Sequence, residues 1–360
     1  MEYLITVCII ITIILILSGF IFKESKILFT IQFIWMWILQ ALNTGGIDFS
    51  INEQIFDYAS SEVNILSNKS GLYTLICYYF RNHGYSYIFM NSILVSIAFI
   101  LIFITIKKYT KNICFVTSLL FIYPFVDNII QKRNFLASSI IIFAVPYLFK
   151  KKYINIMKFT TLCLLAAQIH VSSYVYLLFI IVPFIQYDKM LKKVLVAVIL
   201  GIFMIPILPK IAGIIFPSSK IELYFLTLKI GLIDSIFWSC FNIGFVFLIC
   251  KLKINEYVDK DYIINIKKIA LFSLIFLPLF YYEPTFIRIY RNLLVFNYIA
   301  LSQIQTYGKK IYLSVLRSTS SIILYSIFAF VIVYIITGSG LKEMVFAIFE
   351  NNLFIKYIFT

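Results

Sequence analysis

Long apolar runs separated by short polar turns fill almost the whole chain. A run of about 20 apolar residues crosses a bilayer as a helix, and on this criterion the pattern predicts about twelve transmembrane helices. The predicted helices are 3–22, 27–42, 88–106, 113–126, 135–149, 154–169, 171–185, 194–216, 233–250, 269–282, 287–305 and 320–337. Short helices are tolerated where their ends are buried in protein or line a wet cavity. The expected fold is therefore an all-α, polytopic membrane bundle.

Composition leads to the same class. The chain of 360 residues is 62% hydrophobic and only 13% charged, whereas about 25% of the residues in soluble domains are charged. No polar stretch is long enough for a separate soluble domain, so 1–360 is predicted to form a single integral membrane domain. The net charge of +15 is attributed to cytoplasmic loops that follow the positive-inside rule, and not to nucleic-acid binding.

Basic turns alternate with less basic loops along the predicted helices, which assigns the basic side to the cytoplasm. The basic groups are Lys23/Lys26, Lys107/Lys108/Lys111, Lys150–Lys152, Lys189/Lys192/Lys193, Lys251/Lys253/Lys260/Lys267/Lys268 and Lys309/Lys310/Arg317. The longest outer loop is 43–87, and its apolar part, 71–80, suits an interfacial or re-entrant segment better than a span. The amphipathic stretch 341–359 is expected to lie in the membrane interface.

Two predicted helices, 135–149 and 154–169, flank the basic turn at residues 150–152. Each arm is about 25–27 Å long at roughly 1.5 Å per residue, close to one bilayer crossing. With the lysines of the turn at the cytoplasmic surface, Lys132, Arg133 and His170 lie together at the outer surface. The hairpin therefore predicts that a guanidinium and an imidazole reach the same side of the membrane.

Four cations lie at outer helix ends, where the positive-inside rule does not explain them. Lys132 and Arg133 begin a helix, and the partial positive charge and free N–H groups there suit a phosphate or diphosphate. Arg288 and Arg291 share one helix face at the start of an apolar run, so they should face an aqueous cavity. Each pair also fits a simpler interpretation, as interfacial residues that contact lipid headgroups or extend to the membrane surface.

His170 interrupts the apolar sequence between two predicted helices. A neutral imidazole acts as a general base, and the alternative is a structural histidine hydrogen-bonded in a tight turn. Carboxylates on the outer side are candidate sugar ligands, bases or ion-pair partners of the arginines, although each also fits a solvated loop. These carboxylates are Asp48, Asp57, Glu62, Asp127 as a partner for Arg133, and Glu283 as a partner for Arg288.

Motifs for several other chemistries are missing from the sequence. It has no G-x-x-x-x-G-K-[ST], no G-x-S-x-G and no H-E-x-x-H, and its six cysteines are scattered singly without metal-site spacing. Asp259-Lys260-Asp261 matches the D-x-D pattern of metal-dependent sugar transferases, but it falls in a predicted cytoplasmic loop, away from the other candidates. Neither a metal nor a cofactor is predicted.

The hairpin carries a resemblance to a known family. Arg133-Asn134-x-x-Ala137, the lysine-rich turn, the second helix and Ala167-x-x-His170-x-Ser172-Ser173 together resemble the EpsG/Wzy-type polysaccharide polymerases. These are multi-spanning proteins of exopolysaccharide, capsule and O-antigen assembly. Members show R-Q-x-x-A and A-x-x-H-x-[ST]-[AS], so Asn134 stands where a glutamine is usual.

Two further patches extend the resemblance. Gly46-Ile47-Asp48-Phe49 resembles the acidic G-x-D-Y stretch of the family, with Phe in place of Tyr, and Arg291 ahead of Val295-Phe296 resembles its late arginine. The resemblance implies a GT-C-like or Wzy-like bundle in the bacterial cytoplasmic (inner) membrane, with an active site facing outward. It implies that a chain on undecaprenyl diphosphate is transferred to the hydroxyl of a new lipid-linked repeat unit.

The resemblance also implies roles for the candidate residues. Arginines would stabilise the diphosphate leaving group without a metal, and His170, or else Asp48, would be the general base. The residues assigned to the diphosphate are Arg133, Arg291, Arg288 and Lys132. The residues assigned to substrate binding are Asn134, Asp127 and Glu283. Membrane lipid, a flippase and a chain-length regulator are the expected partners.

Two other classes remain open on the sequence. A lipid-linked oligosaccharide flippase is the main alternative, and an acyltransferase or teichoic-type ligase is another. A flippase often shows internal repeats and charges along a central path. This sequence shows no repeat, and its unexplained cations collect at one face, which favours a fixed site at the outer surface.

Overall fold

A computed structural model of the chain describes residues 2–60, 71–215, 218–227, 231–252, 259–306, 313–336 and 341–359. Of the residues in these ranges, 87% lie in helices and none lies in a strand. An isolated antiparallel bridge joins Asn43 to Asn352. The predicted all-α class is therefore confirmed.

The helical segments are of three types: α-helices, tighter 3-10 segments and wider π segments. The α-helices are α1 (Glu2–Ile21), α2 (Lys26–Ala41), α3 (Ile47–Asp57), α4 (Gly71–Asn82), α5 (Tyr87–Tyr109), α6 (Ile113–Ile122), α7 (Phe125–Ile130), α8 (Lys132–Ala144), α9 (Tyr153–Ala167), α10 (Tyr187–Phe203), α11 (Leu208–Ile215), α12 (Ser218–Ile221), α13 (Leu232–Cys250), α14 (Lys260–Ser273), α15 (Arg288–Arg291), α16 (Leu294–Thr306), α17 (Leu313–Phe330), α18 (Ala347–Glu350) and α19 (Leu353–Phe359). The 3-10 segments are Val145–Phe149, Val171–Phe184, Ile205–Ile207, Leu274–Tyr281 and Pro284–Ile287, and the π segments are Glu222–Thr227, Val331–Ile336 and Lys342–Phe346.

Five helices of the described ranges are long and apolar enough to cross a membrane, and a bent pair makes a sixth. They are Tyr3–Ile21, Tyr87–Tyr109, Leu232–Cys250, Lys260–Tyr281, Thr319–Ile336 and the pair Tyr187–Phe203 with Ile205–Ile214. Shorter apolar helices are Lys26–Ala41, Ile113–Ile122, Tyr153–Ala167 and Val171–Phe184. The membrane class is thus supported, whereas the predicted count of about twelve spans is not confirmed.

Proline explains where predicted helices are interrupted. A proline inside a helix lacks the N–H donor and clashes with the carbonyl of residue i−4. The predicted helix 135–149 changes to a 3-10 segment at Val145, next to Pro146. Helices α10 and α11 meet at an angle of 63° across the 3-10 turn that contains Pro206. The predicted helix 287–305 is also divided, between α15 and α16, although no proline lies at that break.

The chain forms two compact units, and the first comprises Met1–Phe143, Gln168–His170 and Thr319–Thr360. A close helix contact surrounds Gly19 of α1, where a Cβ atom would lie 2.1 Å from the Ser118 Oγ. The Nε2 of Gln32 donates to the Leu15 carbonyl oxygen at 2.9 Å and to the Ser118 Oγ at 3.0 Å. Helices α1, α2 and α6 therefore meet at a glycine, around buried hydrogen bonds.

The C-terminal segment of the first unit is bonded to the loop after α2. The Nδ2 of Asn43 donates to the Ile348 carbonyl at 3.0 Å, and the N–H of Thr44 donates to the Asn351 carbonyl at 2.9 Å. The Nδ2 of Asn352 in turn donates to the Ile38 carbonyl at 2.8 Å. These bonds fix the beginning of the predicted outer loop 43–87, which contains helices α3 and α4.

The second unit comprises Ala144–Ala167 and Val171–Ser318. Within it, α10 approaches the 3-10 segment Leu274–Tyr281 closely, because a Cβ on Gly201 would lie 2.8 Å from Pro278. Phe225 and Tyr282 pack with ring centres 4.8 Å apart beside Ala212. The single integral domain predicted for 1–360 stays a prediction.

Two lysines of the second unit correct the predicted loop after α13. The sequence places Lys267 and Lys268 in a cytoplasmic loop, but both lie on α14 and are buried. The Nζ of Lys267 donates to the Leu252 carbonyl at 2.5 Å. Asp259 of the D-x-D pattern caps the same helix by accepting from the Tyr262 N–H at 3.0 Å. The part of the loop that spans residues 253–258 lies outside the described residues.

Candidate functional site

Arg133, the second residue of α8, is held by an aromatic ring. Its guanidinium carbon lies 5.5 Å from the centre of the Tyr73 ring, within the range of a cation–π interaction. The side chain is half-buried, and no carboxylate of the described residues forms an ion pair with it. The arrangement leaves a permanently charged, partly exposed guanidinium whose hydrogen-bond donors are available to an anion.

Tyr73 also contacts the segment that carries His170. It belongs to the first turn of α4, where backbone N–H groups have no acceptor within the helix. Its N–H donates to the Gln168 carbonyl oxygen at 3.2 Å. Gln168–His170 falls in the first unit, together with Arg133. The two ends of the predicted hairpin therefore reach the same residue of α4, and His170, which is half-buried, follows two residues later.

A buried polar cluster lies around this contact. Tyr73, Cys77 and Tyr87 are each less than a tenth exposed, and they interact electrostatically with one another and with Arg133. Burial raises the pKa of the Tyr73 hydroxyl and of the Cys77 thiol, so both stay protonated, and the charge of Arg133 opposes the rise only in part. The cluster places neutral donors and acceptors beside the charge of Arg133, and the carboxylate of Glu53 also interacts electrostatically with its Tyr87.

Lys132 points into the protein and not into an open site. Its Nζ donates to the Asn43 carbonyl oxygen at 2.6 Å and lies 5.1 Å from the centre of the Phe49 ring. The residue is only 4% exposed, and burial lowers the pKa of its ammonium to about 7. Direct contact with a diphosphate, as the sequence suggested, would require these contacts to rearrange.

Two of the three acidic candidates in the outer loop, Asp48 and Asp57, lie within the described residues. Asp48 lies in the first turn of α3, after Gly46 with its φ of 98°, and directly before the Phe49 ring that covers Lys132. Its half-buried carboxylate makes no hydrogen bond or ion pair with the described residues. Asp57 is exposed at the end of α3, and Glu62 lies outside the described residues.

Asp127 is not the ion-pair partner of Arg133 that the sequence suggested. Its Oδ2 accepts from the Tyr334 hydroxyl at 2.5 Å, and its backbone N–H donates to the same hydroxyl at 3.3 Å. The six-residue spacing places Asp127 on α7, a separate short helix, instead of on the helix of Arg133. Asn134 is buried, and its Nδ2 donates to the Gln131 Oε1 at 3.3 Å.

The late arginines belong to the second unit. The Nε of Arg288 donates to the Thr285 carbonyl at 2.8 Å. Glu283 forms no ion pair with Arg288, which corrects the predicted contact, although the charge of Arg288 still opposes a rise in the pKa of the Glu283 carboxyl that burial causes. The carboxylate instead accepts from the backbone and side chain of Thr285.

Arg291 is only 5% exposed. The turn that carries it is fixed by Tyr176, whose hydroxyl donates to the Ile289 carbonyl at 2.8 Å and accepts from the Asn292 Nδ2 at 3.2 Å. The buried tyrosine thus holds the backbone of the short helix α15, which begins at Arg288 and ends at Arg291. That these arginines share a site with Arg133 stays a prediction, because they belong to the other unit.

A comparison with models of protein families identifies the family of this chain. A model described as the EpsG family matches residues 26–359, which is nearly the whole chain. The chain belongs to the EpsG family. EpsG is a Wzy-type polysaccharide polymerase family, so the resemblance carried by the hairpin motifs is confirmed. No curated protein and no solved structure matches the chain.

EpsG-family membership indicates a membrane polysaccharide polymerase with a glycosyltransferase-like activity. Sequence reasoning found the arginines and the histidine because they stand out in apolar sequence. It missed Tyr73, Asn43 and Tyr334, which hold the candidate residues through contacts far apart in the chain. Only Tyr73 had a usable signal, since it lies in the short apolar stretch of the outer loop.

The described residues of the EpsG-family protein contain no group of three or more His, Cys, Asp and Glu side chains arranged to hold a metal ion. The guanidinium over the Tyr73 ring is cationic, which suits an anionic ligand. A guanidinium with unused donors can stabilise a phosphate-type group electrostatically, and the assignment of His170 or Asp48 as its neighbouring base stays a prediction.

Proposed function

We propose that this protein polymerises undecaprenyl-diphosphate-linked oligosaccharide repeat units at the outer face of the bacterial cytoplasmic membrane. The product would be an O-antigen, capsular polysaccharide or exopolysaccharide. Family membership supports the polymerase activity. The observation that carries the proposed site is the guanidinium of Arg133, which is fixed by the Tyr73 ring and has no carboxylate partner among the described residues.

In the proposed reaction, the bond between the anomeric carbon of the growing chain and the diphosphate oxygen breaks. Its electron pair leaves with the lipid diphosphate, and the acceptor hydroxyl of the new repeat unit bonds to the anomeric carbon. A diphosphate is a good leaving group that needs positive charge more than a proton. Arg133 supplies that charge, with Arg291 and Arg288 as further candidates, so the proposal assigns no metal.

The proton of the acceptor hydroxyl passes to a general base in this proposal. His170 is the first choice, because its segment is bonded to Tyr73 and so approaches the residue that holds Arg133. Asp48 is the second choice, because its carboxylate has no partner among the described residues. In this proposal the base takes the proton of the acceptor hydroxyl only when the growing chain and the new repeat unit are bound together.

The proposal is tested by Arg133→Ala and His170→Ala in cells that make the surface glycan. Both variants should reach the membrane but yield glycan that stops at a single repeat unit, and Arg133→Lys should restore only part of the polymer, because a lysine lacks the planar set of donors. Lys152→Ala, an exposed residue of the basic turn, is the matched control. Full-length polymer from both alanine variants would overturn the assigned site.

Sidedness is tested separately by cysteine labelling in a variant without the native cysteines. Cysteines introduced at Asp57 and Lys151, both exposed, should react with membrane-impermeant reagent from opposite sides. Lipid-linked units that accumulate on the inner leaflet of an inactive variant would instead indicate a flippase.

A further inference from the structure

The first unit contains an apolar cavity that none of the candidate site residues lines. Its volume is about 360 Å³, and it is enclosed by α1, α2, α6, α7, α17 and the C-terminal segment. Among the described residues of its lining Thr12 is the one polar residue, and its hydroxyl donates to the Cys8 carbonyl and accepts from the Trp35 Nε1. The cavity therefore offers its contents no unused polar group from the described lining.

The cavity has a buried floor and an open mouth. Leu39, Ile348 and Phe349 in its lining are each 5% exposed or less. Ile13 of α1 and Ile327 of α17 are 48% and 43% exposed, and both lie on helices long and apolar enough to cross a membrane. The mouth therefore opens on surface that faces the hydrocarbon of the bilayer.

The volume and the apolar lining of the cavity indicate what kind of molecule it can bind. A volume of about 360 Å³ is in the range of ligand pockets and is far larger than one water needs. Water in such a space would find no hydrogen-bond partners, and apolar cavities of this kind bind apolar ligands. The expected occupant is a hydrocarbon chain that enters from the bilayer.

A direct path of contacts joins the cavity to the cations at the start of α8. Ile348, in the floor, presents its carbonyl oxygen to the Nδ2 of Asn43 at 3.0 Å. The carbonyl oxygen of the same asparagine accepts from the Nζ of Lys132 at 2.6 Å. Asn43 thus contacts both the floor of the apolar cavity and the residue next to Arg133, so the cavity and the start of α8 lie in neighbouring parts of the first unit.

We infer that the cavity binds the prenyl chain of the lipid-linked substrate, an inference that rests on the proposed function. The chain enters between α1 and α17, and its diphosphate end extends toward Arg133. The C-terminal segment, which supplies Val345, Phe346 and Ile348 to the wall, is then part of the substrate site. The acyl chain of an ordinary phospholipid would enter the same mouth, but it would bind more weakly than the prenyl chain.

The first test places a larger side chain at the mouth of the cavity. Ile13→Trp and Ile327→Trp should raise the KM for repeat units on a long prenyl diphosphate at least about tenfold, the loss expected when an apolar pocket can no longer take one or two methylenes. The KM for the same units on a three-isoprene diphosphate should not change. Ile10→Trp is the matched control, because Ile10 is 49% exposed on the same helix and does not line the cavity.

The outcomes separate the two proposals. If wild-type protein polymerises both substrates but the variants show no effect that depends on prenyl length, the cavity assignment is overturned and the proposed function stands. If reconstituted wild-type protein polymerises neither substrate, the proposed function fails, and this inference fails with it.

A second measurement needs no turnover. A benzophenone-bearing prenyl diphosphate should crosslink to α17 or to the segment around Phe346, and excess unlabelled prenyl diphosphate should abolish the crosslink. Equal competition by bilayer phospholipid would identify a general lipid site and would overturn the inference.

Discussion

The ring of Tyr73 lies 5.5 Å from the guanidinium carbon of Arg133, while its backbone N–H holds the carbonyl of Gln168. One residue thus contacts both arms of the sequence motif that defines the hairpin. The ring fixes the cation, and the backbone fixes the segment that leads to the histidine. The two functions can be separated, because a substitution of the side chain leaves the backbone bond in place.

The first prediction concerns that ring. Tyr73→Leu should lower kcat/KM for polymerisation about 2- to 30-fold, corresponding to a cation–π contribution of about 0.5–2 kcal/mol, whereas Tyr73→Phe should stay close to wild type. Kinetics with lipid-linked repeat units in reconstituted vesicles measure both. Equal losses in the two variants would show that the hydroxyl, and not the ring, matters.

The second prediction concerns the buried lysine. Because burial lowers the pKa of Lys132 from 10.5 to about 7, the folded state releases a proton that the unfolded chain keeps between these pH values. The free energy of unfolding should therefore rise with pH from about 7 to 10.5 through this residue. Lys132→Met should remove this contribution and should be more stable than wild type at pH 6.

Thermal midpoints of detergent-solubilised protein from pH 6 to 10 measure this effect. Lys152→Met, at an exposed position of the basic turn, serves as control and should keep the wild-type slope. An unchanged slope in Lys132→Met would contradict the prediction.

The third prediction concerns the glycine between α1, α2 and α6. A Cβ at Gly19 would lie 2.1 Å from the Ser118 Oγ and 2.8 Å from the Cys114 carbonyl oxygen. Gly19→Ala should therefore lower the free energy of unfolding by about 1–3 kcal/mol, as overpacked cores do. A lower thermal midpoint, with retained membrane insertion, is the expected result.

Gly213→Ala is the matched control for this substitution. Gly213 also lies inside a helix, but a Cβ there meets nothing within 4 Å, so alanine should stabilise α11 by about 0.5–1 kcal/mol. If both alanine variants had the same midpoint, the close contact at Gly19 would not limit stability.

The fourth prediction concerns Asp127, which the sequence assigned to the substrate. Since its Oδ2 accepts from the Tyr334 hydroxyl at 2.5 Å, Tyr334→Phe should cost about 1–3 kcal/mol by leaving a buried acceptor without this hydrogen bond. Asp127→Asn should lower stability too, and the double variant should lose less than the sum. If Asp127→Asn changed the KM without changing stability, Asp127 would instead be assigned to substrate binding.

The membrane class, the all-α fold and the family were predictable because each depends on local sequence. Apolar runs report contact with lipid directly, and the motif around Arg133 and His170 lies within one hairpin. The number of spans was less predictable, since Pro146 and Pro206 interrupt apolar runs whose composition still resembles a continuous helix.

The partners of the candidate residues were not predictable from spacing. Asp127 lies six residues before Arg133 in the chain, yet its partner is Tyr334, 207 residues away. Lys132 precedes Arg133 directly but points to the Asn43 carbonyl, whereas Arg133 lies over Tyr73. Such choices depend on which side chains the fold brings close, and a hydrophobicity pattern contains no information on them.

The bonds between Asn43 and the C-terminal segment have a consequence for biosynthesis. A ribosome makes Ile348 305 residues after Asn43, so the loop that positions Lys132 has no acceptor for its amide until the last helices have entered the membrane. Nascent protein should therefore stay sensitive to protease near Asn43 throughout translation, and a tag fused close to Asn352 should disturb a residue at the opposite end of the sequence.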